Sequence, residues 1–144
     1  MPDVTTAAGG VGWENAPSHY KGEGGIENFD VWDAYYMDPY TANAFKYLAR
    51  YDKKGAPVND LRKALHYIEE IPIRLRPDQA RVIGEPAIPL EAVLEAFGRT
   101  DDPYIGDAMA YLLLFSCDTR SKSYLEAAKF AIKYEIKRRL NDTV

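Results

Sequence analysis

Apolar residues return at three- and four-residue spacing along most of the chain, in stretches punctuated by Gly and Pro. That spacing predicts amphipathic helices. The first is "IENFDVWDAYYM", with Phe29, Val31, Trp32 and Tyr35 among carboxylates, closed by Pro39. A second runs from Tyr40 to Tyr51. Gly55 and Pro57 mark a stop and a restart, since Gly suits the position after a helix and Pro the first turn of the next. The third helix spans Val58 to Ile71, with Pro72 as its stop. "PIRLRPDQARVIGEPAIP" carries little periodicity and reads as a connector. Beyond it come a short helix, "LEAVLEAFG", a break at "DDPY", a helix "IGDAMAYLLLF", a polar turn "SCDTRSKS" and a long helix "YLEAAKFAIKYEIKRRL".

The second set of elements repeats the first. "VWDAYYMDPYTANAFKYLA" can be laid over "VLEAFGRTDDPYIGDAMAYLL" with a two-residue insertion before the shared "DPY", the mark of an internal duplication. Ala44, Tyr47, Leu48 and Tyr51 form an apolar stripe, and Ala108, Tyr111, Leu112 and Phe115 reproduce it. In the third helix Leu61, Ala64 and Ile68 match Leu125, Ala128 and Ile132. The expected architecture is therefore all-α: a flexible Gly-rich arm over residues 1–18, then one helical domain over 19–144. That domain comprises a first repeat (19–71), a connector (72–87) and a degenerate second repeat (88–144), each repeat with three helices and the pair related by a pseudo-two-fold. The apolar Leu113, Leu114 and Phe115 fit burial either between the halves or in a homo-oligomer.

The polar stripe is not repeated. Asn43, Lys46, Arg50 and Lys53 lie along one face of the second helix at i, i+3, i+7 and i+10. Asp60, Lys63 and Tyr67 share a face of the third. Their counterparts are Asp107, Ala110, Leu114 and Cys117, and Tyr124, Ala127 and Ala131. A face kept polar only for solubility has no reason to vanish from its twin, although burial of the twin's face would also remove it. Joined by a short turn, the two helices set these faces side by side. Lys46, Arg50, Lys53 or Lys54, and Lys63 then converge on one patch, with Asp60 placed to orient a cation. Phosphate is the natural ligand, because Arg offers a planar fork and Lys a mobile point charge. The plain alternative is the solvated side of a helical hairpin.

Composition narrows the chemistry. The chain has 144 residues, 47% hydrophobic and 28% charged, with no apolar run near bilayer length, so a soluble single domain is expected rather than a membrane protein. The beginning lacks the charged and apolar regions of a signal peptide, which points to the cytosol. One cysteine, Cys117, and two histidines leave no expectation of a zinc site or haem. A net charge of −4 makes nucleic acid an unlikely partner. Glu27 and Asp30, one turn apart, are candidates to share Mg²⁺ or to cap a helix. His19, Tyr20 and Lys21 precede "GEGG", which lacks the P-loop arrangement. Of the 11 tyrosines, several belong to the core, Tyr47 among them. Tyr20 and Tyr67 remain as the candidates for stacking on a base.

"HYK", "GIE" with the following Asp30, "NAFKYLARYDKKG" and "DLRKALHYIEE" together resemble the SaV-like family of small phage proteins, over about half the chain from His19 to Glu70. Ala42 stands where that family usually has Gly. Some members are nucleotide kinases that phosphorylate deoxynucleoside monophosphates without a P-loop. The resemblance implies a phage protein of the infected host's cytoplasm that acts on nucleotides, with ATP or another nucleoside triphosphate as donor and Mg²⁺ as candidate metal. Under it Lys46, Arg50, Lys53 and Lys63 hold phosphates, Asp30 or Glu27 holds Mg²⁺ or orients the attacking phosphate, and His19 and Tyr20 lie at the nucleotide's edge. Two alternatives stay open. One is a helical Mg²⁺-dependent nucleotide pyrophosphohydrolase. The other is a non-enzymatic nucleotide sponge or inhibitor of a host protein.

Overall fold

The computed structural model describes residues 25–75, 84–118 and 120–142. The arm over 1–18 and the candidates His19, Tyr20 and Lys21 lie outside them, as does the middle of the connector. Among the described residues there are six α-helices and no strand.

Helix α1 (Asn28–Ala34) starts where the Asp30 carboxylate accepts the Glu27 backbone N–H at 2.8 Å, half of a capping box. It buries Val31, Ala34 and the following Tyr35. The Tyr35 hydroxyl donates to the Ile88 carbonyl oxygen at 2.9 Å and thereby ties α1 to the second half. Burial, chiefly, pushes that phenol's pKa far up, so it stays a donor.

Helix α2 (Pro39–Arg50) opens on a stronger cap. Asp38 accepts the backbone N–H groups of Tyr40 and Thr41 at 2.9 and 2.8 Å and the Thr41 hydroxyl at 2.7 Å, and Pro39 fills the first helical position. Gly55, at φ +81°, makes the left-handed step that ends the turn. Helix α3 (Pro57–Arg74) follows directly.

Here the structure corrects one expectation, because Pro72 lies inside α3 rather than stopping it. A proline removes one donor and disfavours helix at the residue before it. In the last turn that loss is small, and the Leu75 N–H closes the end by donating to the Ile71 carbonyl at 2.8 Å.

Helix α4 (Leu90–Ala96) is short, α5 (Pro103–Cys117) is apolar nearly all round, and α6 (Lys122–Asp142) is the longest. Helices α2 and α3 form one hairpin, α5 and α6 another. The hairpins pack α3 on α6 and α2 on α5, while α4 lies against α5. Phe45, Leu48, Leu61 and Ile68 of the first hairpin meet Met109, Leu112, Phe115 and Ile132 of the second in one core. Leu113 and Phe115 are fully buried within the chain and Leu114 partly so. Packing between the halves thus accounts for these residues without a second subunit. Among the described residues no helix is long and apolar enough to cross a membrane.

Candidate anion-binding site

The hairpin turn returns α3 alongside α2, so the polar stripes of both helices meet over Tyr47. The Lys46 Nζ lies 4.9 Å from the centroid of its ring, the Arg50 Cζ 4.7 Å and the Lys63 Nζ 5.4 Å. Tyr67 stacks on the same ring at 6.0 Å and 17°. The ring's negative face attracts cations, each contact contributing about 0.5–1 kcal/mol where solvent reaches it. Tyr47 therefore gathers three cations that would otherwise repel one another.

Asp60 is the counter-charge. It projects from the first turn of α3, lies 3% exposed, and its Oδ1 is 3.5 Å from an Arg50 terminal nitrogen. At that distance the pair is electrostatic rather than a tight forked hydrogen bond. Asp60 Oδ2 and Arg50 Nε have no hydrogen-bond partner among the described residues. Three cations against one buried carboxylate leave an excess of positive charge at a half-exposed aromatic surface, with guanidinium capacity unspent. Such a surface suits an anion.

The structure brings together Lys46, Arg50, Asp60, Lys63 and Tyr67, five of the residues singled out from the sequence. It does not bring in the rest. The Asn43 amide donates to its own helix, to the Pro39 carbonyl oxygen at 2.8 Å. Lys53 and Lys54 are exposed on the turn beyond α2. Glu27 and Asp30 sit at the start of α1, and among the described residues no group of three potential metal ligands occurs. Tyr47, expected in the core, is instead the half-buried hub of the cluster. His66 is exposed, edge-on to Tyr67 at 6.0 Å.

In the second hairpin the equivalent positions Ala110, Leu114, Tyr124 and Ala127 are partly buried and Ala131 is buried. Tyr124 donates to Asp118 at 2.9 Å. Among the described residues no second charged cluster forms there.

One structural group escapes the helical patterns altogether. Arg99, 3% exposed, reaches from the α4–α5 loop to the last turn of α2. It donates to the Leu48 and Ala49 carbonyl oxygens at 2.9 Å each and grips Asp52 through two nitrogens at 3.0 and 2.9 Å. The free carbonyls at the end of α2 are thus capped by a side chain from the other half. A cavity of about 390 Å³ beside it is lined by Tyr51, Asp102, Glu135 and Arg139 as well. Tyr51 donates to Asp102, with the Arg99 and Arg139 guanidinium groups 4.8 and 5.0 Å from its ring. Glu135, 1% exposed, is held by Arg138 and Arg139, each at 2.7 Å.

The Arg99 hydrogen bonds hold the Asp52 carboxyl below its usual range. At Glu135 burial pushes upward, but the hydrogen bonds from Arg138 and Arg139 prevail and the net shift is down. The one hint in the sequence is that Arg99 is the sole Lys or Arg between Arg81 and Arg120.

Compared with known families, residues 14–69 match the model of DUF3310, a protein family of unknown function. The span is well under half of the chain, and it takes in α1, α2 and most of α3, with every residue of the Tyr47 cluster. No curated protein and no solved structure matches.

Proposed function

We propose that the chain is a phage nucleotide-binding protein working in the host cytoplasm, and that it is a nucleoside or deoxynucleoside monophosphate kinase without a P-loop. The observation that carries this is the convergence of Lys46, Arg50 and Lys63 on the Tyr47 ring, with Asp60 as the one carboxylate paired with any of them among the described residues. Phosphoryl transfer asks a protein mainly to position two phosphates and to offset charge on the equatorial oxygens, work that Arg and Lys side chains do without covalent chemistry. Arg50, in an electrostatic pair with Asp60, supplies a planar fork of donors; Lys46 and Lys63 supply mobile charge. The outer part of Tyr67 offers an aromatic surface beside them for a base. In this reading Lys53 and Lys54, exposed on the adjoining turn and outside the cluster, hold a second phosphate group.

Mg²⁺ is the candidate metal. Asp30 already accepts the Glu27 N–H, and no third ligand stands with that pair among the described residues. No step is assigned to a metal held by these two. The related halves, one keeping its charges and one giving them up to packing, fit a duplicated domain in which the second copy supports the first.

The test is phosphate transfer from ATP to dGMP or dTMP by the wild type and by Lys46→Ala. The expected outcome is formation of the nucleoside diphosphate, with a rate lowered about tenfold or more in the variant. Equal rates would remove Lys46 from the chemistry. Pyrophosphate release would identify a pyrophosphohydrolase instead, and tight binding without turnover a nucleotide sponge.

A further inference from the structure

Among the described residues two solvent-exposed surfaces carry opposite charge. The first is on α1, where Phe29 and Asp33 lie one turn apart and Tyr36 follows. Phe29 is 67% exposed and Tyr36 66%, while Asp33 is exposed and joins no ion pair among the described residues. Phe29 meets Trp32 edge-on at 5.2 Å, which widens the apolar surface. The second is a groove of about 350 Å³ between α3 and α6. Its floor is Leu65, Ile136 and Leu140. Arg62, Lys133 and Lys137 rim it, all exposed and in no ion pair among the described residues, and no carboxylate lines it.

We propose that two copies of this chain pair by exchanging α1: the acidic aromatic stripe of each copy docks in the basic apolar groove of the other. Charge and shape select this occupant. In a chain of net charge −4 the groove is lined by three cations, three aliphatic side chains and the amide Asn141, with no carboxylate, so it suits a segment that carries carboxylate and large apolar side chains together. Helix α1 carries both. Among the described residues it does not fill the groove of its own chain, since the Tyr35–Ile88 hydrogen bond holds α1 to the segment before α4. A two-fold exchange forms the contact twice. Doubling matters, because a seven-residue helix docked once falls short of the roughly 800 Å² per partner of a stable interface. The pairing is independent of nucleotide binding, since Arg62 and Leu65 face away from the Tyr47 cluster.

Light scattering of the full chain over a concentration series, at low and high salt, tests the exchange. The expected mass is twice 16.3 kDa, with dissociation favoured by salt. Lys133→Glu with Lys137→Glu, and Asp33→Lys alone, should each weaken pairing at least about tenfold. Combining Asp33→Lys with Lys137→Glu should restore much of it. All three positions are exposed, and circular dichroism checks that the variants keep their helices. A monomer throughout, a mass beyond two copies, or a dimer indifferent to these charge reversals would overturn the proposal.

Discussion

At the scale of single residues, Asp60 and Arg50 make the sharpest case. Asp60 is 3% exposed, and Arg50, 3.5 Å away, is its ion-pair partner among the described residues. Arg50→Ala should therefore destabilise the fold by about 1–3 kcal/mol, the cost of leaving a buried polar group without its partner. Asp60→Asn should cancel part of that loss in the double variant. Urea unfolding of the wild type, both single variants and the double variant measures the coupling, and strictly additive losses would show that the two do not act as a pair. The charged members of this cluster are legible in the sequence because Lys46, Arg50, Asp60 and Lys63 fall at helical spacing. Tyr47 is not legible as the hub. It occupies an apolar stripe position whose neighbours Ala44 and Leu48 are fully buried, and only the relative placement of α2 and α3 leaves its ring open to cations.

At the scale of elements, helix existence and order follow from periodicity and from the Gly and Pro breaks. The ends follow less well, since Pro72 stops a helix only where the lost hydrogen bond matters. The capping of α2 by Arg99 is a long-range event between residues about fifty positions apart in the chain, and local pattern carries no trace of it. Arg99→Met should cost about 1–3 kcal/mol, because it removes the donor from the Leu48 and Ala49 carbonyl oxygens, while the exposed Asp52 carboxylate returns to water. It should also change the acid limb of stability. In the native protein Asp52 has a lowered pKa, so its contribution is complete above the unfolded value of about 3.9. It is lost as pH falls below that value and through the folded pKa. Glu135, also lowered, adds to the same slope. Urea melts from neutral pH down into this acid range should show a shallower fall in Arg99→Met than in wild type. An unchanged slope would mean that Asp52 gains nothing from Arg99.

At the scale of the whole molecule, two hairpins share one core and divide the labour. The second, with α5 apolar nearly all round, supplies burial, and its α4–α5 loop supplies the cap on α2. The first is left free to concentrate charge on its outer face. The all-helical class can be read from one chain, because its apolar residues return at helical spacing along most of its length. The ligand cannot be read in the same way, since Lys, Arg and Tyr at helical spacing specify an anion-friendly surface rather than a particular anion.

The central claim, that the Tyr47 cluster holds the phosphate of a nucleotide, is tested most directly by titrating dGMP into the full-length protein and into the Lys46→Ala/Lys63→Ala variant, followed by calorimetry. Both lysines are outside the core, so the variant should fold. Saturable binding by the wild type, weakened by a factor of about ten to a hundred in the variant and by added salt, is the predicted result. No binding by the wild type, or equal affinity in the variant, would contradict it.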